Sequence, residues 1–435
     1  MNQGSLAPYM NWLRDASTLR WTGRVSQVVG NLVESAGPFC SVGECCEITN
    51  SNGTKMAGEI VGFRDSSVLA MPLERPSGIR FGDPIVTWGA TPSMRVGPDL
   101  LGRVIDASGT PLDSRGDYRA KTTMRLDGAA PLPLERVAIR DTLSCGIRAV
   151  DGFLTCGRGQ RVGIFGGSGV GKSTILGMMA RGTSADLTVL ALVGERGREV
   201  GEFLEELGEE GVKRSVVVVS TSDQSPLLRV RAALAATTVA EYFSRQGKNV
   251  LLVVDSLTRF AMAQREIGLA AGEPPTAKGY TPSVLSMLSR LVERAGRFTT
   301  GSITAFYTVL MEGDDQQDPL VDTVRSLLDG HIVLDRKLAA RGHYPAISVL
   351  DSLSRLMPNI SSQPHVEKAR ALRLLLATHA RSEDLIRIGA YQTGTDPTLD
   401  KAISGLPQIT SFLQQGRQEI APLDQTMQRL LTLPS

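Results

Sequence analysis

The sequence contains no hydrophobic run long enough to cross a membrane. No stretch of its 435 residues approaches the ~18 uninterrupted apolar residues that a transmembrane helix requires. The N-terminal segment, MNQGSLAPYMNWLRDAS, has neither the basic region nor the apolar region of a secretory signal peptide. We therefore predict neither a membrane span nor a secretory signal.

Cysteine and histidine are scarce, which argues against a disulfide framework and against a metal site built from these residues. The five cysteines are an odd number, none of them forms a CxxC pair, and Cys45 and Cys46 are adjacent. The four histidines lack the regular spacing of metal ligands. We therefore expect free thiols, as in a protein of the reducing cytosol.

Neither sign of charge dominates the composition. The 47 Lys and Arg residues nearly balance the 45 Asp and Glu residues, so the formal net charge is only +2. Proteins that bind nucleic acid mainly through its phosphates concentrate basic residues on one face, so we expect no specific nucleic-acid partner. A hydrophobic content of 42% and a charged content of 21% are typical of a globular protein. The length predicts two or three domains.

The hydrophobic pattern divides the chain into domains. Residues 19–95 contain short segments rich in Val and Ile, such as KMAGEIVGF and DPIVTWG, which predict a small β-barrel. Residues 1–18 would form a tail or a short docking helix before it. In residues 96–357, apolar runs such as QRVGIFG and NVLLVVD alternate with amphipathic helical patterns, which indicates an α/β core around a parallel sheet. Residues 358–435 carry a 3.6-residue period and predict a C-terminal helical domain.

The segment GGSGVGKS fits the phosphate-binding pattern GxxxxGK[ST] in full. Glycines let successive backbone N–H groups point at a polyphosphate, and the helix that follows adds the positive end of its dipole. The apolar run VGIF precedes the loop and the helical pattern TILGMMA follows it, as the motif requires. Lys172 should reach the β- and γ-phosphates of ATP, and the Ser173 hydroxyl should bind Mg²⁺. The predicted nucleotide-binding residues are Gly166, Gly167, Ser168, Gly169, Val170, Gly171, Lys172, Ser173 and Thr174.

Asp255 follows four apolar residues at the end of the predicted strand LLVVD. Downstream of a P-loop, an aspartate in this position is typical of the Walker-B residue, which holds Mg²⁺, usually through water. The alternative is an aspartate that serves only a turn or a helix cap. We therefore predict ATP and Mg²⁺ as cofactors, with Ser173 and Asp255 as the metal-binding residues.

Several long motifs, in the same order, make the sequence similar to a known family. They are GERGREV (194–200), DSLTRFAMAQREI (255–267), GEPPTAKGY (272–280), GSITAFYTVLMEGDD (301–315), LDGHIVLDRKLA (328–339) and GHYPAIS (342–348). They resemble the rotary-type ATPases, and specifically the ATPases of type III secretion systems in their flagellar export form. The tail DLIRIGAYQTGTDPTLDKAI resembles the type III branch and not the F-type β subunit. The resemblance implies a RecA-like P-loop core between an N-terminal β-barrel and a C-terminal helical domain.

The resemblance also implies catalytic roles for residues outside the P-loop. Glu195 matches the family's catalytic glutamate, which orients and polarises the attacking water; by its position alone it would be a surface acid. Arg196 matches an arginine that organises the surroundings of this glutamate. Arg355, in LDSLSRLMP, resembles the arginine finger that reaches a neighbouring subunit's site and stabilises charge on the γ-phosphate. The alternative for Arg355 is an ordinary surface arginine at the end of the core.

Three further features follow from the resemblance. Tyr344 matches the aromatic residue that stacks on adenine, with a buried core tyrosine as the alternative. Residues 272–283 match a loop that points into the central channel towards a coiled-coil stalk, or they are a plain surface loop. The family commonly has an N-terminal helix that binds a stator-like regulator. Here only 18 residues precede the barrel, with Tyr9, Met10 and Leu13 at helical spacing.

Together these features predict an enzyme, an ATPase that acts as a homohexameric ring in the cytoplasm, peripheral to the inner membrane. It would energise protein export through the flagellar type III apparatus, with export substrates and chaperones as partners. The virulence-injectisome ATPase is the alternative within the same class. A non-catalytic rotary-ATPase subunit is disfavoured by Glu195. An RNA-translocating hexamer is disfavoured because few aromatic residues, without clustered Arg or Lys, occur in the N-terminal domain: Trp21, Phe39, Phe63, Phe81 and Trp88.

Overall fold

The computed structural model describes residues 19–311 and 318–434. The predicted tail or docking helix at residues 1–18 lies outside this range, and so do positions 312–315 of the motif GSITAFYTVLMEGDD. In the described chain a β-barrel, a central α/β layer and a group of helices follow one another. This order confirms the predicted fold class.

The first six strands close an antiparallel barrel in the spatial order β1-β2-β5-β4-β3-β6. Every second residue of β3 is buried, and the same alternation starts β4, so apolar side chains such as Val33, Ile48, Ile60 and Ile85 fill the barrel. The strands are β1 (Trp21–Val29), β2 (Leu32–Ala36), β3 (Cys45–Thr49), β4 (Lys55–Arg64), β5 (Ser67–Pro72) and β6 (Pro84–Thr87).

The segment after the barrel belongs partly to the core. β7 (Ser93–Val96) spans the predicted domain limit between residues 95 and 96, and it pairs with β9 (Thr122–Arg125) and not with the barrel. Between them, β8 (Val104–Asp106) joins the edge of the central sheet. The predicted domain limits remain proposals.

A nine-stranded sheet forms the centre of the protein, in the order β19-β18-β12-β17-β15-β13-β14-β8, with β16 beside β17. The path from β18 to β8 is parallel, and the edge strand β19 runs antiparallel to β18. The remaining strands are β10 (Thr142–Leu143), β11 (Cys156–Gly157), β12 (Arg161–Gly166), β13 (Leu187–Glu195), β14 (Ser215–Thr221), β15 (Asn249–Asp255), β16 (Gly296–Arg297), β17 (Ser302–Leu310), β18 (Gly330–Leu334) and β19 (Ile347–Ser354).

Helices cover both faces of this sheet. Alternate residues of β13 accordingly belong to two different hydrophobic clusters. The C-terminal helices share the second cluster, in which Phe412 packs edge-on against Phe153 at 6.1 Å between ring centroids. Within the described residues no helix is both long enough and apolar enough to cross a membrane. The helices are α1 (Arg148–Phe153), α2 (Lys172–Gly182), α3 (Gly197–Lys213), α4 (Pro226–Ser244), α5 (Leu257–Ala271), α6 (Pro282–Glu293), α7 (Pro319–Leu327), α8 (Arg336–Ala340), α9 (Met357–Ile360), α10 (Gln363–Arg387), α11 (Pro397–Leu413) and α12 (Leu423–Thr432).

Candidate functional site

A cavity of about 440 Å³ opens where the parallel strands β12, β13 and β15 end. The carboxyl ends of parallel strands meet at one edge of a sheet, so the loops that follow them face the same crevice. Helices α2, α3 and α5 begin at this edge, directly after the three strands. The charged residues around the cavity include Lys172, Glu195, Arg196, Glu199, Asp255 and Arg259.

The P-loop connects β12 to α2 along one side of this cavity. Gly169 has φ +78° and Gly171 has φ +93°, values in the left-handed region that residues with a Cβ rarely adopt. No described side chain caps the start of α2, so its first N–H groups are not satisfied by a cap. A helix start of this kind is suited to bind an anion.

Lys172 begins helix α2 and lines the cavity. Its Nζ is buried and has no hydrogen-bond partner among the residues that the structure describes. Burial lowers the pKa of this ammonium, and the negative charges of Asp255 and Glu195 oppose the shift. A buried ammonium without a partner is costly, so the P-loop lysine fits an anionic ligand such as a phosphate.

Asp255 ends β15 and is almost fully buried. Burial raises its pKa, opposed by the Thr308 hydroxyl, which donates to Oδ1 at 2.5 Å, and by the Lys172 charge. The cap of the next helix, α5, is Ser256, whose Oγ accepts from the Arg259 backbone N–H at 3.2 Å. The helix-cap alternative for Asp255 is therefore wrong, and the carboxylate is available to the cavity.

Glu195 ends β13 and lies beside a second carboxylate. Burial, the hydrogen bond with Glu199 and the charge of Asp255 raise the pKa of Glu195 to about 8. The same hydrogen bond lowers the pKa of Glu199, which lies on the first turn of α3. The two carboxyl groups therefore interact directly, and their pKa values are displaced in opposite directions.

Two arginines lie on the same side of the cavity. Arg196 is largely exposed and its Nη1 lies 3.7 Å from a carboxylate oxygen of Glu199. Arg259, on α5, packs over Gly194, where a side chain would approach Arg259 Cβ to 3.2 Å. The Arg259 Nε is buried without a hydrogen-bond partner among residues 19–311 and 318–434. The structure places Arg259, which belongs to the motif DSLTRFAMAQREI, in the lining of the cavity.

Tyr344 lies next to the P-loop. Two carbons of its ring are 3.9 Å and 4.0 Å from the position that a Cβ of Gly171 would take. Its side chain is 48% exposed, so the alternative of a buried core tyrosine is wrong. The ring therefore lies beside the P-loop and is half-exposed, although Tyr344 is not among the residues that line the cavity.

Arg355 lies at the opposite edge of the sheet from this pocket. β19 is antiparallel to β18, with Ile347 opposite Leu334 and Ser354 opposite Gly330. Because β18 is parallel to the P-loop strand, Ile347 lies at the edge of the sheet where the pocket opens. Ser354 lies at the other edge. The two positions are separated by four residues of β18, which is about 13 Å along the strand. Arg355 is exposed and forms no ion pair within the described part of the chain. The fold does not bring this arginine to its own chain's P-loop.

Sequence reasoning missed Glu199 as a member of the site. It lies four residues after Glu195, at the start of a helix whose preceding strand ends at Glu195. The signal was present in GERGREV, because the residue that opens a helix after a parallel strand faces the same crevice as the strand end. Of the predicted catalytic and metal-binding residues, Lys172, Ser173, Glu195, Arg196 and Asp255 line one cavity, and Arg355 does not.

Three family models match consecutive parts of the chain. The model described as "ATP synthase alpha/beta family, beta-barrel domain" matches residues 25–89. The model "ATP synthase alpha/beta family, nucleotide-binding domain" matches residues 146–354. The model "T3SS EscN ATPase C-terminal domain" matches residues 361–432. The barrel, the pocket and the helical end thus each have a counterpart in the same group of ATPases.

A curated relative and two solved structures agree with this match. The relative, named "Flagellum-specific ATP synthase" in Bacillus subtilis, is 51% identical over 94% of this chain and 94% of its own. The assembled ATPase EscN of the enteropathogenic E. coli type III secretion system is 45% identical, with a TM-score of 0.91 over 95% of this chain and 100% of its own. EscN in complex with its central stalk EscO is 44% identical, with a TM-score of 0.88 over the same shares. The chain therefore belongs to the ATPases of type III secretion systems, the family that includes the flagellum-specific ATP synthases.

Proposed function

We propose that this chain hydrolyses ATP in a homo-oligomeric ring and so energises protein export through the flagellar type III apparatus. One observation carries the proposal: the buried Lys172 ammonium, without a partner in the described chain, faces a cavity that also contains Glu195 and Asp255. The injectisome ATPase is the alternative. The 51% identity to a flagellum-specific relative, against 45% to EscN, favours the flagellar system.

The residues present fit ATP with Mg²⁺. The described residues include no group of three His, Cys, Asp or Glu that could hold a metal by themselves. Mg²⁺ keeps several waters and is held in nucleotide sites by phosphates and one or two protein oxygens, so a full protein cage is not needed. We assign the Ser173 hydroxyl to the ion, and Asp255 through water. When bound, the ion neutralises charge that develops on the phosphates.

Each side chain of the pocket then has a distinct task. Lys172 binds the β- and γ-phosphates, and Glu195 orients the attacking water and takes up its proton. The pKa of about 8 for Glu195 belongs to the nucleotide-free chain, and a cation that arrives with ATP would lower it and so favour the ionised carboxylate that acts as the base. Arg196 and Arg259 add positive charge around these carboxylates. The open face of Tyr344 stacks on adenine.

Arg355 completes the site of a neighbouring copy. Its guanidinium is exposed, lies at the sheet edge opposite its own P-loop, and has no ion-pair partner in the described chain. A planar guanidinium can stabilise charge on the γ-phosphate when it arrives from another subunit. The assembled state named for EscN supports a ring in which every interface has one P-loop and one finger.

The partners follow from the relatives and from one exposed loop. Residues 272–283 connect α5 to α6 and contain a 3-10 turn at Ala277–Gly279, with Lys278 paired to Asp318 at 2.9 Å. We assign this loop to the channel, where a stalk such as the EscO of the EscN complex would contact it. The further partners that we propose are a stator-like regulator, export substrates and chaperones. The ring would work in the cytoplasm, peripheral to the inner membrane.

One observation favours an RNA-translocating hexamer as a second candidate. Trp21 and Phe39 on the barrel surface are both exposed and lie 5.3 Å apart between ring centroids, and such aromatic pairs can stack on bases. Single-stranded RNA would then stimulate ATP hydrolysis, and this stimulation would be lost in Trp21→Ala. A rate of ATP hydrolysis that does not change when RNA is added would rule this candidate out.

The decisive experiment measures ATP hydrolysis against protein concentration. In a ring with shared sites the specific activity rises with concentration, because a monomer holds only half of each site. Mass measurements in the same samples should place the rise where oligomers form. A specific activity that stays constant down to fully monomeric protein would refute the shared site, and absence of ATP hydrolysis at any concentration would refute the enzyme.

A further inference from the structure

The main chain of Arg355 is held close to the start of β18. Ser354 pairs with Gly330, and a side chain at Gly330 would come within 2.6 Å of the Leu353 carbonyl oxygen. Such a short distance means that only glycine permits this approach of the two strands. The backbone that carries Arg355 therefore has its position defined by β18.

Asp329 links this backbone to the P-loop strand. Its carbonyl oxygen accepts a hydrogen bond from the Arg355 N–H at 3.1 Å. Its carboxylate accepts from the Arg161 backbone N–H at 3.0 Å and from the Arg161 Nε and Nη2 at 3.1 Å each. The Asp329 N–H also donates to the Arg161 carbonyl at 2.9 Å. One residue thus connects the first residue of β12 to the proposed finger.

Burial and several hydrogen bonds hold the Arg161–Asp329 pair in a fixed geometry. The two side chains are only 18% and 25% exposed, and a bidentate contact between guanidinium and carboxylate fixes direction as well as distance. Arg161 is held from the other side by Glu293, at 2.5 Å from Nη1. Gln160, which is fully buried, donates to the Ser354 hydroxyl at 3.2 Å. The Arg355 guanidinium, by contrast, projects from this rigid base without a partner among the described residues.

We infer that the Arg161–Asp329 pair positions Arg355 for the active site of the neighbouring copy. The inference rests on the proposed shared site. Asp329 and Arg161 are positioning residues, since neither lines its own chain's nucleotide cavity. Displacement of a catalytic group by about 1 Å can lower a rate on the order of 100-fold, so loss of the carboxylate should act on catalysis in the neighbouring copy.

The test is a complementation experiment with Asp329→Asn, which preserves size and removes the charge. Alone, this variant should lose roughly 10- to 100-fold in kcat with an unchanged KM for ATP, because its own P-loop is intact. Mixed with Lys172→Ala as monomers and then assembled, it should recover activity, because Lys172→Ala supplies a well-placed finger. Mixed with Arg355→Ala, it should recover none, because both partners lack a working finger.

Controls separate this inference from the shared site itself. Arg355→Ala mixed with Lys172→Ala must recover activity; if it does not, the shared site is wrong and the inference falls with it. Suppose that this control recovers activity. The positioning role is then overturned by any of three results: Asp329→Asn regains activity with Arg355→Ala, it regains activity with neither variant, or it already has the wild-type rate alone. Asp141→Asn, which breaks a similar pair with Arg297 at 2.7 Å, should keep the wild-type rate. Arg161→Gln should repeat the pattern if Asp329→Asn fails to fold.

Discussion

At the scale of single residues, the nucleotide pocket is a set of charges that burial has removed from water. Burial lowers the pKa of Lys172 and raises the pKa values of Glu195 and Asp255, so each group is displaced towards its neutral form. Such displacement is reversed when a charged partner arrives. The pocket therefore gains most from a ligand that brings dense negative charge to the lysine and a cation to the carboxylates.

Replacement of Lys172 by alanine should abolish ATP hydrolysis and strongly weaken ATP binding. The ammonium is the P-loop's one mobile positive charge, and charge-assisted bonds to phosphate are strong. Hydrolysis and nucleotide binding can be measured on the same preparation. Lys213→Ala removes an exposed lysine and should change neither. Retention of more than about a tenth of the wild-type rate, a barrier change below roughly 1.4 kcal/mol, would contradict the assigned role.

Replacement of Glu195 by glutamine should lower the hydrolysis rate by orders of magnitude and leave ATP affinity nearly unchanged. Glutamine keeps the size and hydrogen bonding but cannot accept the proton of the attacking water, an interaction that acts mainly in the transition state. Single-turnover hydrolysis and equilibrium binding separate the two effects. Glu205→Gln, at an exposed position of α3, is the control. Equal losses in affinity and rate would indicate a binding role instead.

The same residue makes the stability of the nucleotide-free protein depend on pH. The pKa of Glu195 is about 8 in the folded chain, above its ordinary value of 4.5. A raised pKa means that the stability contributed by this group is fully present below pH 4.5 and is lost as the pH rises through 8. The melting temperature of wild type, relative to Glu195→Gln, should therefore fall across this interval. If the melting temperatures of the two proteins change with pH in the same way over the whole interval, the pKa shift is contradicted.

At the scale of elements, the barrel is attached to the core mainly through β4. Glu59 on β4 accepts two hydrogen bonds from the Arg231 guanidinium of α4, at 2.7 Å and 3.2 Å. Arg64, at the end of the same strand, donates to the Ala270 carbonyl of α5 at 3.2 Å. Burial raises the pKa of Glu59, and the Arg231 charge opposes this shift. The orientation of the barrel on the core thus depends on the ion pair between Glu59 and Arg231.

Replacement of Arg231 by alanine should lower the free energy of unfolding by about 3 kcal/mol, the lower end of the range for a broken buried pair, because the two side chains keep slight exposure. Urea denaturation measures this change. Lys55→Ala, on β4 like Glu59, breaks the exposed pair with Glu47 of β3 and should cost less than about 1 kcal/mol. Similar losses for both variants would mean that Glu59 is not effectively buried.

At the scale of the whole molecule, the order and direction of the strands divide the proposed catalytic groups between two edges of one sheet. The P-loop, Glu195 and Asp255 lie at the carboxyl ends of parallel strands. The antiparallel strand β19 starts at that edge and ends at the other, so it carries Arg355 away from its own pocket. In the proposed shared site, two copies of the chain are therefore needed to complete one site.

Mixtures of two inactive variants should recover activity. Arg355→Ala keeps the P-loop and Lys172→Ala keeps the finger, so in an equal mixture up to about a quarter of the interfaces in a ring combine the two intact parts. The variants are mixed while dilute, assembled by concentration, and assayed for ATP hydrolysis beside each variant alone. If Arg355→Ala instead matches the wild-type rate in fully monomeric samples, the arginine is structural and each chain contains its own site.

The sequence by itself determined the features whose chemistry is local. The P-loop could be predicted because its phosphate contacts come from successive backbone N–H groups of one short segment. The barrel, the parallel core and the helical end could be predicted because periods of 2 and 3.6 residues reflect which face of each element is buried. The motifs of the family resemblance led to the proposal of Glu195, Tyr344 and Arg355 as site residues, but they did not show the surroundings of these residues.

Only the tertiary structure decided how distant segments meet. Strand order and register brought Lys172, Glu195 and Asp255, which follow three different strands, around one cavity. The same geometry left Tyr344 half-exposed beside Gly171 and connected Arg355 to Asp329 and Arg161. These contacts join residues far apart in the chain, and hydrophobic periodicity carries no information about which strands become neighbours. Burial, which sets the pKa values of the pocket, exists only once those neighbours are in place.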